Sequence, residues 1–84
     1  MEKLVGKITH FFNKISVAVV KLTDDELNVG DTIHIKGKTT DFNQQVSSMQ
    51  IEHQSIEKAK EGDEIGMKVD SPVHENDEVY KVVE

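Results

Sequence analysis

Hydrophobic and polar positions alternate in short runs along this chain, and turn residues interrupt them about every dozen positions, the pattern of a small sandwich or barrel. Six strands are predicted. The first, Leu4 to His10, assigns Leu4, Gly6 and Ile8 to one face and Val5, Lys7 and Thr9 to the other. After a break at Phe11-Phe12-Asn13-Lys14, the segment Ile15 to Leu22 is apolar and β-branched on both faces, as a central, well-covered strand requires. Thr23-Asp24-Asp25-Glu26 reads as a solvated connector, and Leu27-Asn28-Val29-Gly30-Asp31 as a turn with Gly30 at positive φ. Thr32 to Lys36 alternates most cleanly, with Ile33 and Ile35 on one side and Thr32, His34 and Lys36 on the other.

The middle of the chain is less regular. Val46, Met49 and Ile51 need a core, which a strand from about Phe42 to His53 would provide, but Val46 and Met49 lie three apart and call for a bulge near Ser47-Ser48. A helix from Met49 to Lys60 competes on propensity. Strands over Glu64 to Val69 and Glu78 to Val83 complete the set, separated by the loop that holds the only proline, Pro72, and by a turn at Asn76-Asp77. No long-period repeat emerges. Open edges are expected at Leu4 to His10 and Glu78 to Val83, where Lys and Glu guard against pairing and favour a monomer.

A chain of 84 residues has room for one core and not two. With 36% hydrophobic and 31% charged residues it suits a folded soluble domain better than a disordered tail. The longest apolar run, Val17-Ala18-Val19-Val20, falls far short of the roughly 20 residues that cross a bilayer, so no membrane span is expected. Charge in the opening Met1-Glu2-Lys3 segment, where a secretory signal would begin its apolar core, implies a cytoplasmic protein. There are no cysteines, which removes disulfides, thiolate metal sites and Cys nucleophiles. The net charge of −6 resides in the second half, because residues 1–48 balance. All ten cations are lysines, so the guanidinium fork that reads phosphates and bases is missing.

Three phrases, in order, resemble the translation-factor β-barrel, the second domain of elongation factor Tu and its relatives. They are Leu27-x-Val29-Gly30-Asp31-x-Ile33, then Ile56-x-x-Ala59-x-x-Gly62-Asp63-x-Ile65-Gly66-Met67, and finally Asn76-Asp77-x-Val79-Tyr80, with Val5-Gly6-x-Ile8 at the start. In each, a residue tolerant of positive φ precedes a carboxylate able to bond nearby backbone amides. Asn76 replaces the family's glycine with the next-best residue for the left-handed region. Similar barrels also form the C-terminal domain of collagenase-like peptidase-family proteins. The resemblance implies a closed or nearly closed six-stranded antiparallel barrel of the translation-protein type. It also implies a non-catalytic module contacting tRNA, other RNA or a translation or RNA-modification partner. No Gly-x-x-x-x-Gly-Lys-Ser/Thr loop is present, so a GTPase is excluded.

Chemistry beyond binding has little support in the residues. His10, His34, His53 and His74 sit on different elements without metal-ligand spacing, the serines lack a nucleophile-elbow phrase, and no cofactor is implied. The binding surface expected is Lys7, Lys14, Lys36 and Lys38 with His10, Phe11 and Phe12, lysines for phosphate and aromatics for stacking. The alternative is an acidic protein-interaction subunit with no RNA role, using Glu57, Glu61, Asp63, Glu64, Glu75, Asp77 and Glu78 against a basic partner.

Overall fold

The computed structural model describes residues 2–83, which form ten strands and no helix. In chain order these are β1 Glu2–Phe12, β2 Val17–Leu22, β3 Leu27–Asn28, β4 Thr32–Lys36 and β5 Asp41–Gln45, then β6 Met49–Ile51, β7 Gln54–Ile56, β8 Lys58–Ala59, β9 Glu64–Lys68 and β10 Glu78–Val82. The all-β class is as the alternation implies, but the strands number ten instead of six. Much of the excess comes from the ambiguous middle. There Glu52 and His53 both take positive φ, 51° and 65°, and reverse the chain in a two-residue hairpin where a helix competed.

Eight strands make one antiparallel sheet in the order β5-β4-β10-β1-β2-β9-β6-β7, and β3 pairs with β8 in a separate ribbon. The expected edges are therefore wrong. β1 and β10 pair with each other in the middle of the sheet, and β5 and β7 are its ends. Strand β1 is long enough to serve two partners, β10 along its first half and β2 along its second. Two register shifts, between Leu4 and Gly6 and between Ile8 and His10, break its alternation. The first of these turns Val5 into the core beside Ile8, against the face assigned from strict alternation.

The core is aliphatic. Ala18, Val20 and Leu22 of β2, Ile33 and Ile35 of β4, Ile65 and Met67 of β9 and Val79 of β10 are all buried. The ladder does not return to its own first strand, and a side chain spans part of the gap. Gln44 of β5 donates from Nε2 to the Lys68 carbonyl at 2.9 Å and accepts the Asp70 amide on Oε1 at 2.8 Å. Its carboxamide thus stands in for a peptide group of a neighbouring strand, which explains why Gln44, a polar residue, is buried.

Three corners are built alike, although the sequence shows no evident repeat. In each, a carboxylate accepts the amide three residues upstream: Asp31 from Asn28 at 2.9 Å, Asp63 from Lys60 at 3.0 Å and Asp77 from His74 at 2.8 Å. The residue before each aspartate has positive φ, 97° at Gly30, 96° at Gly62 and 71° at Asn76, as the third position of such a turn requires. Each corner also holds a buried residue of a passing segment by two backbone bonds. Val46, Leu22 and Ile8 donate to the carbonyls of Asp31, Asp63 and Asp77, and accept from the amides of Gly30, Gly62 and Asn76. Four residues before each aspartate and two after it lie buried apolar side chains: Leu27 and Ile33, Ala59 and Ile65, Val73 and Val79.

Candidate functional site

The seven residues expected to form one binding surface fall into two groups. Lys7, on β1, and Lys36, at the end of β4, line a groove enclosing about 650 Å³, together with Lys38 from the following loop. Glu78, Tyr80, Asn76 and the two glycines Gly6 and Gly37 complete most of its wall. Phe11, Phe12 and Lys14 belong elsewhere, at the tip of the β1–β2 hairpin, in a shallow apolar hollow with Asn13 and Ile15. His10 joins them, its ring 4.4 Å from that of Phe12. Separation follows from strand geometry: five residues of extended β1 between Lys7 and Phe12 span about 17 Å.

The groove is organised by cross-strand register. Lys7 pairs with Glu78, and Glu78 pairs with Lys36, so the three form one row across β1, β10 and β4. Directly opposed residues on one face are in contact range, so Glu78 tempers both lysines. Its carboxylate also accepts the Tyr80 hydroxyl at 3.1 Å, a contact that raises the Tyr80 pKa above the usual phenol value. Among the described residues no carboxylate oxygen lies within 4.0 Å of the Lys7, Lys36 or Lys38 ammonium groups. Gly37 has no room for a side chain because a Cβ there would overlap the Asp77 carboxylate, which ties the lysine-bearing loop to the third corner. That loop is closed further by the Gly37 amide donating to the Thr40 carbonyl at 2.7 Å.

The hairpin tip is a different kind of surface. Phe12 keeps 46% and Ile15 60% of their surface exposed, whereas Phe11 packs against the core. A second hollow beside it runs past Phe11, Asn13, Ser16 and Pro72 to His74.

Other polar clusters do not assemble into chemistry. His34 is held on both ring nitrogens, by Glu2 at 2.7 Å and by Asp41, and its pKa is raised, chiefly by the Asp41 contact. The Thr40 hydroxyl lies 3.2 Å from His74 Nδ1, the same nitrogen that faces Asp77 at 3.9 Å, so the ring is not aligned to relay a proton between them. Among the described residues no group of three or more His, Cys, Asp or Glu side chains is arranged to hold a metal. Of the acidic residues considered for a basic partner, Asp63 and Asp77 are engaged with backbone amides at the corners. Among the described residues no helix is long and apolar enough to cross a membrane.

Comparison with known proteins decides between the two resemblances. No family model matches the chain. It is 44% identical, over 95% of its length, to an uncharacterized protease of Methanocaldococcus jannaschii, and 36% identical, over 92% of its length, to a collagenase of Porphyromonas gingivalis. Among solved structures, the C-terminal domain of a putative U32 peptidase from Geobacillus thermoleovorans superposes with a TM-score of 0.89. That match has 17% identity and covers 96% of this chain and 93% of the other. The chain is thus similar in sequence to proteins named protease and collagenase, and its fold is that of the U32 peptidase C-terminal domain.

The chain spans about a fifth of the length of these curated relatives, 20% of the protease and 22% of the collagenase. The names of the curated relatives, a protease and a collagenase, overturn the expectation of a non-catalytic, translation-factor-like module. The Gly-Asp phrases behind that expectation are real corners of the fold, but the sheet is not closed into a barrel by its hydrogen-bond ladder, and the corners report how strands are joined without singling out translation factors. Nothing in the sequence alone separated the two families. Sequence reading anticipated the three turn carboxylates Asp31, Asp63 and Asp77, and missed that each corner holds a buried residue of a passing segment, Val46, Leu22 and Ile8 in turn.

Proposed function

We propose that this chain serves a U32 peptidase-type protein as its β-domain, seating its apolar hairpin tip against the segment that makes up the other four-fifths of such proteins. The observation that carries the reading is the 44% identity that runs through 95% of the chain while spanning only 20% of its protease-named relative. A region so retained within a longer protein works beside the rest of it. The tip supports the same reading, because Phe12 and Ile15 place two large apolar side chains in solvent when the chain stands alone.

Exchange tests it. The segment of the Porphyromonas collagenase that matches this chain is replaced by residues 2–83, and cleavage of denatured collagen is followed. The expected result is cleavage by the chimera and loss of at least about tenfold, or 1.4 kcal/mol, when Phe12 and Ile15 are both changed to Asp. Cleavage that persists undiminished after the matching segment is deleted outright overturns the proposal.

A further inference from the structure

The groove across β1, β10 and β4 is a positive site on an acidic protein. Three ammonium groups, Lys7, Lys36 and Lys38, face it against the single carboxylate of Glu78, in a chain whose net charge is −6. Three lysines elsewhere are neutralised in place, Lys3 and Lys81 by Asp25 at 3.2 and 3.5 Å and Lys58 by Glu26 at 3.0 Å, while Lys14, Lys21, Lys60 and Lys68 meet no described carboxylate within 4.0 Å and stand apart from the groove. The groove lysines have no such partners within that distance among the described residues, although acidic side chains outnumber them.

Asn76 supplies a second, independent indication. The two sister corners use glycine at the positive-φ position, where a side chain carries a strain cost, and only this corner carries one, at φ 71°. A Cβ at Gly30 or Gly62 would meet open space, whereas Asn76 lines this groove and an adjoining hollow of about 440 Å³ that shares Gly37 and Lys38 with it. An amide group placed there offers both a donor and an acceptor beside the lysines.

We infer that this groove binds an acidic stretch of polypeptide, with Lys7, Lys36 and Lys38 receiving carboxylates and Asn76 bonding the peptide backbone. The charge decides the class of ligand. Two or three carboxylates match three lysines tempered by Glu78, whereas nucleic-acid recognition draws on the guanidinium forks that this arginine-free chain does not have. The dimensions agree. The row Lys7, Glu78, Lys36 crosses three strands at about 4.8 Å spacing, so the two lysines stand roughly 10 Å apart. Carboxylates on residues i and i+2 or i+3 of an extended peptide reach that span.

The test uses the intact 84-residue protein and amide NMR. Hexaglutamate, hexaglutamine and a uridine oligonucleotide of equal formal charge are titrated separately at about 0.05 M salt, where the screening length exceeds 10 Å. Hexaglutamate is expected to shift the amides of Lys7, Gly37, Lys38 and Asn76, and hexaglutamine to leave them in place. Lys36→Gln with Lys38→Gln is expected to weaken the hexaglutamate response about tenfold while the Met67 amide, across the sheet, keeps its position as evidence of folding. Asn76→Gly, which restores the residue of the sister corners and relieves the positive-φ strain, is expected to weaken it without destabilising the fold. An absent response to hexaglutamate, a response unchanged in the double variant, or saturation by the oligonucleotide at lower concentration than by the peptide overturns the inference. Its outcome is separable from that of the chimera, since the tip substitutions and the groove substitutions share no residue.

Discussion

Gly6 sits where two strands approach so closely that its missing side chain is a structural requirement. A Cβ there would collide with the carbonyl oxygen of Lys21 and come within 2.9 Å of its carbon, both backbone atoms of β2 that cannot swing aside. Gly30 presents the opposite situation, open space around it but φ of 97°. The two therefore separate steric from conformational cost. Gly6→Ala is expected to destabilise by about 3 kcal/mol, because the β1–β2 ladder must part to admit a methyl group. Gly30→Ala is expected to cost only about 1 kcal/mol, the strain of an L-residue in the left-handed region. Urea denaturation of the two variants checks the ranking, and equal midpoints would show that β2 moves away from Gly6 without resistance. Asn76 belongs to the same scale, since it tolerates 71° as glycine does and brings a side chain to the groove.

Elements were legible in the sequence where alternation and turn chemistry agreed. Thr32–Lys36 was placed to the residue, Glu64–Lys68 and Glu78–Val82 to within one, and the positive φ at Gly30 and the tolerance of Asn76 for it followed from residue type. Reading failed where tertiary context overrode local pattern. The bulge that buries Val5 depends on β1 switching partners, and the His53 turn on a left-handed conformation in a residue without strong turn preference. Of the candidate site, the meeting of Lys7, Lys36 and Lys38 was legible from their places on the first and third expected strands and the loop after, although Lys14, from the same half of the chain, lies at the hairpin tip. Their separation from Phe12 was not, because it depends on the unbroken length of β1. Gln44 was invisible for a related reason, as hydrophobic periodicity takes no account of a polar side chain doing the work of a strand. Gln44→Ala is expected to cost about 1–3 kcal/mol, the penalty for leaving the Lys68 carbonyl and Asp70 amide without partners. Hydrogen exchange reads it locally: the Asp70 amide should lose protection ahead of amides in β2. An Asp70 amide as protected as before would show that another group closes this seam.

Across the whole molecule, electrostatics ties the sheet together at positions far apart in sequence. His34 on β4 reaches Glu2 on β1 with one nitrogen and Asp41 on β5 with the other, so one imidazolium spans the four neighbouring strands β5, β4, β10 and β1. Both ring nitrogens donate only when the ring is charged, and the carboxylate of Asp41, with Glu2 behind it, raises its pKa above the ordinary 6.5. A pKa higher in the folded than in the unfolded state means that the stabilisation is complete below about 6.5 and disappears as pH rises through the raised folded value. Asp25 acts in the reverse sense. The Glu26 amide, then Lys3 and Lys81, lower its pKa below 3.8, so its contribution is present above that value and is lost as pH falls through the lowered one. Stability should therefore peak between these two titrations and decline toward both alkaline and strongly acid conditions. Thermal unfolding of the wild type and of His34→Gln from about pH 2 to pH 9 separates the contributions, because glutamine can hydrogen-bond but cannot titrate. The alkaline decline should flatten in the variant while the acid decline, which belongs to Asp25, stays. A wild-type curve that rises between pH 6.5 and 8 would mean that His34 is neutral in the folded protein and that the bridge across four strands is not formed.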